Sequence, residues 1–393
     1  MPSNRRVMPQ RGSSDGSARR ILVAGAGIAG LAVAQALAAR GFEVTVVERA
    51  DVVEGGGAGL LIGANAVAAL QALGVDIQRH ACRATSARIT DARGRCLQEA
   101  DFTASSRDRA TYVMRRRDLH ALLVARAGAL AISRGLGVEA AVDGVRGVSV
   151  RFSDGTRRSF DLLIGADGIH STVRRSLAGG ASPPIVPAGY ACWRFIAPAV
   201  GLVGVQEMWG RGRRVGFAAL GDGHAYVFLV ADAAPGTPPA AWPAGVRAAF
   251  AAFGDPVPAL LDAAETLRPL YHDLADLAWP CWGGGRIWLI GDAAHAMLPN
   301  LGQGAAQALE DALVLADELG APGVAPIDQA FRRFVRRRHG RVLRLWRQSR
   351  RLGRVAQWSH PLACRLRDAV MRRIPSAFVR RSMAAISDPG AAS

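Results

Sequence analysis

Glycines and carboxylates occur together at three widely separated places in this chain. Gly25, Gly27 and Gly30 form a Gly-x-Gly-x-x-Gly pattern, Asp167 precedes a glycine, and Asp292 follows one shortly before a second glycine cluster. Glycines let the backbone come close to a flat ligand, and carboxylates accept hydrogen bonds from hydroxyl groups. Where such a turn opens a helix, the free amide groups also favour an anion. These residue types therefore predict a site for a flat, anionic ligand that carries hydroxyl groups.

The first glycine pattern lies between elements that would position it. The apolar run at 21–24 predicts a strand, a small-residue helix follows the glycines, and a second strand at 43–48 ends at Glu48. An acid 23 residues after Gly25 is typical of a site for the adenosine half of a dinucleotide, with the acid on the ribose hydroxyls. The pattern does not separate FAD from NAD, and a glycine-rich helix start packed against a sheet is the alternative interpretation.

The third stretch, residues 286–319, has the same plan. An apolar strand at 287–290 is followed by Asp292, by a loop with Gly302-Gln303-Gly304, and by a helix that we expect to begin at about Ala305. A reduced flavin carries negative charge at the edge of its ring, which suits the amide groups of such a helix start. The carboxylate of Asp292 would then accept hydrogen bonds from the ribityl chain.

The run Gly-Asp-Ala-Ala-His-Ala-Met-Leu-Pro-Asn-Leu-Gly-Gln-Gly at 291–304 resembles the second flavin-binding motif of the single-component FAD-dependent aromatic hydroxylases, the group of para-hydroxybenzoate and salicylate hydroxylases. Asp167 matches the Asp-Gly motif of that family, which lies near the pyrophosphate and the route of the nicotinamide donor. Arg116 matches its Arg-x-x-Leu element, which places an arginine near the cofactor. Ala64 stands where the family commonly has proline, and Ala306 where it often has asparagine.

The resemblance implies an FAD-dependent monooxygenase with NADPH or NADH as transient electron donor. In such enzymes the reduced flavin takes up O2 as a C4a-hydroperoxide, which hydroxylates an aromatic or other electron-rich small molecule. An epoxidase or reductase of the same fold is the alternative, and so is a non-catalytic flavin-binding redox sensor. The predicted cofactor-binding residues are Gly25, Gly27, Gly30, Glu48, Arg49, Arg116, Asp167, Asp292, Gly302, Gln303, Gly304 and Ala305.

A region rich in strands and aromatic residues lies between the second and third stretches. Strands are predicted at 190–197, 215–220 and 225–231, the last two joined by a hairpin at 221–223. In the family resembled, a sheet over the flavin binds the substrate, although an aromatic stripe is also typical of an ordinary core. The predicted catalytic residues are Arg214, Tyr226 and Pro299, with Arg194 and His224 as further polar candidates.

The charge of the chain is unevenly distributed. The net charge is +17, all basic residues are arginine, and most of the excess lies in residues 331–383. The main interpretation is a helical layer with a solvated basic face. Weak contact with an anionic membrane surface is the alternative, and nucleic acid is disfavoured because no nucleic-acid-binding fold accompanies the charge.

Other features narrow the class of protein. The five cysteines are scattered without metal-ligand or redox spacing, which predicts reduced thiols and no metal site. No apolar run is long enough to span a bilayer, and residues 1–18 lack a signal-peptide pattern. We therefore expect a cytoplasmic protein, monomeric or homodimeric.

The predicted fold class is α/β, with a Rossmann-like FAD-binding domain built on a parallel sheet, an antiparallel-sheet substrate domain and C-terminal helices. The predicted segments are a disordered tail at 1–18, the FAD-binding domain at 19–80, 107–182 and 283–322, the substrate domain at 81–106 and 183–282, and the helical region at 323–393. Three finer predictions concern polar residues. Asn65 is expected to cap a helix at 66–73, Arg174 to pair locally with an acid, and both Glu310 and Asp311 to be solvated.

Overall fold

The computed structural model describes most of the chain after residue 18. The described residues are 19–51, 58–103, 110–128, 130–177, 182–199, 201–238, 240–320 and 326–388. The predicted tail at 1–18 and part of the glycine-rich loop after residue 51 lie outside them. Among the described helices, none is both long enough and apolar enough to cross a membrane.

A parallel sheet holds the three glycine and acid stretches. In spatial order its strands are β18 (Gly283–Gly284), β19 (Ile287–Leu289), β12 (Leu162–Gly165), β1 (Arg20–Ala24), β2 (Glu43–Val47) and β8 (Ala131–Ser133). All neighbours are parallel except β18 and β19. The central strands are buried on both faces, which explains their continuous apolar sequences. The carboxyl ends of β1, β12 and β19 therefore meet at one edge of the sheet.

Helices pack on both the parallel sheet and the antiparallel sheet described below. Those of the first 320 residues are α1 (Ile28–Ala38), α2 (Ala64–Ala72), α3 (Arg116–Ala127), α4 (Thr172–Arg175), α5 (Ala244–Ala249), α6 (Val257–Ala263), α7 (Asp292–His295) and α8 (Gly304–Leu319). Helix α1 packs against α8 and α3, and α2 also packs against α8. The predicted parallel sheet with its glycine-turn helices is confirmed.

The larger second sheet is mainly antiparallel. Its strands in spatial order are β17 (Leu270–Leu277), β13 (Ile185–Pro198), β16 (His224–Asp232), β15 (Arg213–Ala219), β14 (Val205–Trp209), β5 (Ser86–Asp91) and β6 (Cys96–Asp101). One face packs on α5 and α6 around aromatic residues such as Trp193, Phe217 and Phe250. The antiparallel sheet and the hairpin between β15 and β16 are confirmed. The aromatic stripe is partly core, as the alternative interpretation held.

Two three-stranded sheets complete the strands of the described chain. One contains β3 (Gly59–Ile62), β7 (Thr111–Arg115) and β4 (Cys82–Ala84). The other contains β9 (Val138–Gly144), β10 (Gly147–Phe152) and β11 (Arg157–Phe160). Strand β7 leads directly into α3, so the small first sheet fixes the position of Arg116.

The C-terminal region is helical, as predicted. It consists of α9 (Ile327–Ala356), α10 (Pro361–Arg373) and α11 (Ser376–Ile386). Helix α9 packs on α8, while α10 and α11 pack on β6 of the antiparallel sheet. The division of the chain into domains stays a prediction.

Candidate active site

The first turn, Gly25–Gly30, packs directly on the second turn, which contains Ala166 and Asp167. Gly25 has φ +104°, its N–H donates to Val47 O at 2.8 Å, and a Cβ there would lie 2.5 Å from Ala166 O. A Cβ on Gly30 would lie 1.8 Å from Gly25 O. Only glycine fits at these two positions, because the backbones of β1, α1 and β12 are in contact there.

Gly27 differs from the glycines on either side of it. It is the N-cap residue of α1 with ordinary extended geometry, and a Cβ there would meet no heavy atom within 4 Å among the described residues. No described side chain caps the helix. Its first amide groups are therefore free to bind an anion that approaches over Gly27.

Glu48 lies at the mouth of this turn. Its Oε2 accepts a hydrogen bond from Ala26 N–H at 2.8 Å, and its Oε1 accepts one from Ala50 N–H at 3.0 Å. The carboxylate is thus held beside the glycine turn. Arg49 is exposed, and its side chain packs against Gly137.

Asp167 lies at the end of β12 beside Gly25. Its Oδ2 accepts hydrogen bonds from the N–H groups of Thr172 at 2.7 Å and Val173 at 3.1 Å, which fixes the start of α4. Its Oδ1 is buried and has no hydrogen-bond partner within the described part of the chain. One carboxylate oxygen is therefore structural and the other remains available to a ligand.

Arg174 joins the second turn to the third. Its Nη1 donates to Ala293 O at 2.7 Å and its Nη2 to Ile169 O at 2.5 Å. Burial lowers its pKa, and the charge of Asp167 opposes that effect. The prediction that Arg174 pairs with an acid is therefore wrong, because the guanidinium donates mainly to backbone carbonyl groups.

The third turn contains the closely packed Gly291 and the exposed Asp292. Gly291 has φ +57°, and a Cβ there would lie 3.0 Å from Ala29 Cβ on α1. Asp292 follows it and is exposed. Among the described residues, the one heavy atom that a Cβ on Gly304, at the start of α8, would meet within 4 Å is Asp292 Oδ1, at 4.0 Å. Asp292 and the start of α8 therefore border the same open space.

The loop before α8 has the geometry expected of a ligand-binding helix start. Gly302 is in the left-handed region at φ +62°. Gln303 is the N-cap of α8, and no side chain in the described part of the chain caps this helix. Gly304 and Ala305 are half-buried in the first turn of the helix. The predicted helix start near Ala305 is confirmed.

Asn65 has a different position from the one predicted. Helix α2 begins at Ala64 with Gly63 as its N-cap, so Asn65 lies inside the helix and caps nothing. Its Nδ2 donates to Gln303 Oε1 at 3.0 Å and to Glu310 Oε1 at 2.6 Å. The side chain therefore bonds to residues of α8 and its N-cap. The sequence around Asn65 does not show this, because the partners lie more than 200 residues away.

Glu310 and Asp311 correct a second prediction. They are 4% and 0% exposed, not solvated. Arg338 of α9 donates to both carboxylates, through Nη1 to Glu310 Oε2 at 2.5 Å and through Nε to Asp311 Oδ1 at 2.7 Å. Arg341 donates to Glu310 as well, at 2.9 Å. Burial is possible because two arginines neutralise two acids and satisfy their oxygens.

His295 belongs to the same buried cluster. Its Nε2 lies 2.6 Å from Asp311 Oδ2, which also accepts a hydrogen bond from Gly291 N–H at 3.0 Å. Burial acts to raise the pKa of Asp311, but the charges of His295 and Arg338 outweigh it, so the pKa lies below its usual value. The sequence assigned no chemistry to His295, and the structure gives it a supporting position behind Asp292.

Arg116 is influenced by charges of the third turn and of the antiparallel sheet. It opens α3, is half-buried, and its N–H donates to Ala58 O at 3.2 Å. Burial lowers its pKa, the charge of Asp292 raises it, and the charge of Arg194 lowers it. A cation is therefore placed within electrostatic reach of both the acid of the third turn and β13.

Arg214, on β15, is bonded to three other elements: β14, the turn before α8 and the residue after α9. Its guanidinium donates to Glu207 Oε1 at 3.0 Å, Asn300 Oδ1 at 3.0 Å and Gln357 Oε1 at 2.7 Å. Asn300 belongs to the 3-10 turn Pro299–Leu301, whose Pro299 is exposed. The side chain is buried and bonded to protein acceptors. That Arg214 orients a substrate stays a prediction, which these contacts do not support. Arg214 holds the turn that presents Pro299.

Tyr226 lies where the antiparallel sheet meets β3. A Cβ on Gly59 would lie 2.3 Å from Tyr226 Cγ, and the Tyr226 ring is tilted against Phe228. Burial raises the pKa of Tyr226, while the charge of Arg194 opposes this. His224 instead contacts Asp222 in the exposed hairpin. Tyr226 pairs with Ile196 and Arg194 with Phe228, so Tyr226 and Arg194 lie on the same face of the antiparallel sheet.

A sequence profile for an FAD binding domain matches residues 19–184 and 273–340. These segments contain all three turns. The chain belongs to the FAD-dependent monooxygenase family. Within the described residues there is no group of side chains able to hold a metal ion.

Relatives in this family extend over almost the whole chain. The 2-heptyl-3-hydroxy-4(1H)-quinolone synthase of Pseudomonas aeruginosa is 34% identical, covering 92% of this chain and 96% of the relative. Aurachin C monooxygenase/isomerase of Stigmatella aurantiaca is 33% identical over 91% of this chain and 94% of the relative. The crystal structure of Klebsiella pneumoniae HpxO with FAD and uric acid has a TM-score of 0.86 at 25% identity, over 94% of this chain and 96% of that one.

The geometry of the turns fits the cofactor of this family. FAD needs space over a glycine turn, anion-binding amides and acceptors for hydroxyl groups. The open space over Gly27, the uncapped starts of α1 and α8, and the exposed carboxylate of Asp292 provide them within the described chain. The free oxygen of Asp167 adds a polar group between the two ends.

Proposed function

We propose that this family member hydroxylates an electron-rich aromatic small molecule, using O2 and NADPH or NADH. The observation that carries the proposal is the meeting of three glycine and acid turns at one sheet edge, next to β3 and the face of the antiparallel sheet that carries Tyr226 and Arg194. Bound FAD supplies the oxygen-activating chemistry. Two electrons come from the nicotinamide, one oxygen atom enters the substrate, and the other leaves as water.

The chain's residues divide the work of holding the cofactor. We assign the pyrophosphate to the amide groups of α1 over Gly25, Gly27 and Gly30, and the adenosine ribose to Glu48, with Arg49 at the rim. Asp167 is assigned to the region of the pyrophosphate. This assignment rests on the free amides, the free carboxylate oxygen and the fixed position of Glu48.

The flavin end is assigned to the third turn. Asp292 accepts hydrogen bonds from the ribityl chain, and the amide groups of Gly302–Ala305 stabilise negative charge on the ring. Arg116 adds a cation near Asp292. In the same proposal, Pro299 and Tyr226 border the space in which the substrate meets the flavin, while Arg214 holds Pro299 in place.

The name of the quinolone relative suggests the first compounds to test. A synthase of a 3-hydroxy-4(1H)-quinolone that uses O2 would act on the quinolone without the 3-hydroxyl group. We therefore propose bicyclic nitrogen heteroaromatics with a carbonyl oxygen on the ring as the preferred substrate class. A buried, protonated Tyr226 and the cation of Arg194 would provide a donor and a charge for that oxygen.

The test is a substrate screen on purified, FAD-loaded protein. We expect 4(1H)-quinolones to stimulate NAD(P)H oxidation above the ligand-free rate, with one atom of 18O2 in a product heavier by one oxygen. Simple phenols and aminohydroxybenzoates serve as comparison substrates. Epoxidation also incorporates one atom and is distinguished by product structure, while a reductase incorporates none. Slow oxidation unaffected by every compound would favour a redox sensor and contradict the proposal.

A second proposal concerns the outward face of the C-terminal helices. Helix α10 packs on the protein through buried Cys364 and Arg367. On its other side Leu362, Leu366 and Val370 are 65%, 62% and 51% exposed, at a spacing that places them on one helix face. A soluble helix normally turns polar residues to this side.

The residues around this apolar face indicate what covers it. Phe378 of α11 is 62% exposed, and the exposed charged residues of the two helices are all basic. They are Arg365, Arg372, Arg373, Arg380 and Arg381. Apolar side chains ringed by arginines are complementary to an anionic bilayer surface, whereas a second copy of the same face would be repelled. We propose that this face docks on such a surface.

Liposome co-sedimentation tests the membrane proposal. We expect the protein to bind vesicles of phosphatidylserine and phosphatidylcholine but not phosphatidylcholine alone, and the double variant Leu362→Ser and Leu366→Ser to lose binding. Val142→Ser is the matched control, because Val142 is 67% exposed on β9. Equal binding of both variants, or concentration-dependent dimerisation that the double variant abolishes, would overturn the proposal.

A further inference from the structure

The last described turn of the chain lies against the flavin end of the site. Nη2 of Arg341, on α9, donates to Ile386 O at 3.0 Å and to Asp388 O at 3.3 Å. A Cβ on Gly63 would lie 2.8 Å from Ser387 Oγ. Residues 386–388, named here the C-terminal turn, therefore touch the start of α2, which leads to Asn65.

Arg341 links the C-terminal turn to a buried carboxylate. The same guanidinium that bonds to the turn donates through Nε to Glu310 Oε2 at 2.9 Å and through Nη2 to Glu310 Oε1 at 3.1 Å. Arg341 is 5% exposed and Glu310 is 4% exposed. An ion pair with so little access to water is sensitive to loss of either partner, because the remaining charge is left buried.

Glu310 is fixed in position by donors from three directions. Its Oε1 accepts from Asn65 at 2.6 Å and Gln307 at 3.0 Å, and its Oε2 accepts from Arg338 at 2.5 Å. Together with the two bonds from Arg341, these contacts use both oxygens fully. The carboxylate therefore has no second orientation that keeps all of its partners.

The contact with Asn65 extends this constraint to Gly302–Gly304, named here the flavin loop. Nδ2 of Asn65 bridges Glu310 and Gln303 Oε1, the latter at 3.0 Å. Gln303 is 4% exposed and is the N-cap of α8, whose first amide groups border the space beside Asp292. A shift of Glu310 would thus displace the residue that precedes these amides.

We propose that Glu310 and Arg341 are positioning residues for the flavin, and that docking of the C-terminal turn completes their support of Gln303. The cluster acts through the backbone of the flavin loop and does not touch the substrate. The proposal rests on the FAD site and not on the identity of the substrate. It is therefore tested by cofactor binding, without turnover.

The first experiment measures FAD affinity and the midpoint potential of the bound flavin in Glu310→Gln and Arg341→Met. We expect the Kd of apoprotein for FAD to rise about tenfold or more in each, because a buried donor or acceptor loses its partner. The potential should shift by about 30 mV, which is a tenfold change in the ratio of affinities for oxidised and reduced flavin. Arg341→Lys keeps the positive charge but loses the two-pronged hydrogen bonding of the guanidinium. Its Kd for FAD and its midpoint potential should lie between those of the wild type and of Arg341→Met.

Arg344→Met is the matched control, since Arg344 is exposed on α9 one turn from Arg341. Its Kd and potential should equal those of the wild type. A lower melting temperature in Glu310→Gln or Arg341→Met with unchanged Kd and potential would mean a purely structural role and would overturn the proposal.

A truncation tests the contribution of the C-terminal turn if the buried substitutions prevent folding. Removal of residues 386–393 should raise the Kd for FAD, and removal of residues 390–393 alone should not. Circular dichroism establishes that both shortened proteins are folded. Equal FAD affinity in the two truncations would contradict the role of the turn.

Discussion

Arg338 bonds to two adjacent carboxylates, with Nη1 2.5 Å from Glu310 Oε2 and Nε 2.7 Å from Asp311 Oδ1. The arginine comes from α9 and the acids from α8, so this contact fastens the C-terminal region to the helix that begins at the flavin loop. Arg338 is fully buried. Its role in stability can be separated from that of the many exposed arginines on α9.

The first prediction is that Arg338→Met is strongly destabilising. Removing one partner of a buried ion pair leaves charge uncompensated, which costs about 3–5 kcal/mol of the free energy of unfolding. Urea unfolding of the apoprotein measures the change. Arg344→Met, at an exposed position of the same helix, should change it by less than about 0.5 kcal/mol. Similar losses in both variants would contradict the importance of the buried contact.

The second prediction concerns acid stability. The folded-state pKa of Asp311 is depressed, because the charges of His295 and Arg338 outweigh the effect of burial. Its contribution to stability is therefore complete above the unfolded-state pKa of about 3.9 and is lost as the pH falls through the lower folded-state pKa. Urea unfolding measured from pH 7 to pH 2 should show that the free energy of unfolding falls less in Asp311→Asn than in the wild type. If the free energy of unfolding falls equally with pH in both proteins, groups other than Asp311 cause the loss of stability in acid.

The third prediction uses Gly27 to test where the cofactor binds. A Cβ there meets no described heavy atom within 4 Å, so Gly27→Ala should change apoprotein stability by no more than about 1 kcal/mol. The added methyl group would project into the space assigned to the pyrophosphate. We expect the Kd for FAD to rise about tenfold or more, corresponding to about 1.4 kcal/mol. Gly284→Ala, which also adds a Cβ in open space, is the control; wild-type affinity in Gly27→Ala would exclude the assigned position.

The fourth prediction concerns Asp292. Asp292→Ala should lower FAD retention, seen as reduced flavin absorbance after gel filtration, because the ribityl hydroxyls lose a charged acceptor worth about 1.5–3 kcal/mol. Asp317→Ala is a suitable control, since Asp317 lies on α8 in a surface ion pair with Arg40. Full flavin occupancy in Asp292→Ala would remove this residue from the proposed site.

The fifth prediction addresses the junction of Tyr226 and β3. A Cβ on Gly59 would lie 2.3 Å from Tyr226 Cγ, so Gly59→Ala forces the strand and the ring apart at a cost of about 1–3 kcal/mol. We expect a lower kcat/KM for the substrate found in the screen, with a smaller effect on the Kd for FAD. An equal fall in FAD affinity would place the disturbance at the cofactor instead.

Local sequence was sufficient to predict the elements that carry the site. The strands, glycine turns and helices around Gly25 and Asp292 follow from apolar runs and glycine spacing, which act over a few residues. The start of α8 is an example, because Gly302 and Gly304 determine it within one turn. The glycine contact with Ala166 O was not predictable, since it joins segments more than a hundred residues apart.

Polar residues whose partners lie far away in the sequence were predicted wrongly. Asn65 has the residue type of a helix cap, but its side chain contacts Glu310. Glu310 and Asp311 occur beside an apolar face, as solvated acids often do, and only the packing of α9 shows that arginines bury them. Residues 331–383 hold many arginines and few acids, so an acid that packs against them is expected to pair with an arginine. That imbalance was the available signal.

The contact between Gly25 and Ala166 O bears on the time at which the protein can acquire its cofactor. The first glycine turn emerges early from the ribosome, but its neighbouring turn follows after residue 160 and the flavin loop only after residue 300. Arg338 and Arg341, which fasten that loop, are made later still. FAD therefore meets a complete site only after α9 has been synthesised, and a nascent chain interrupted before α9 would lack the arginines that hold Glu310.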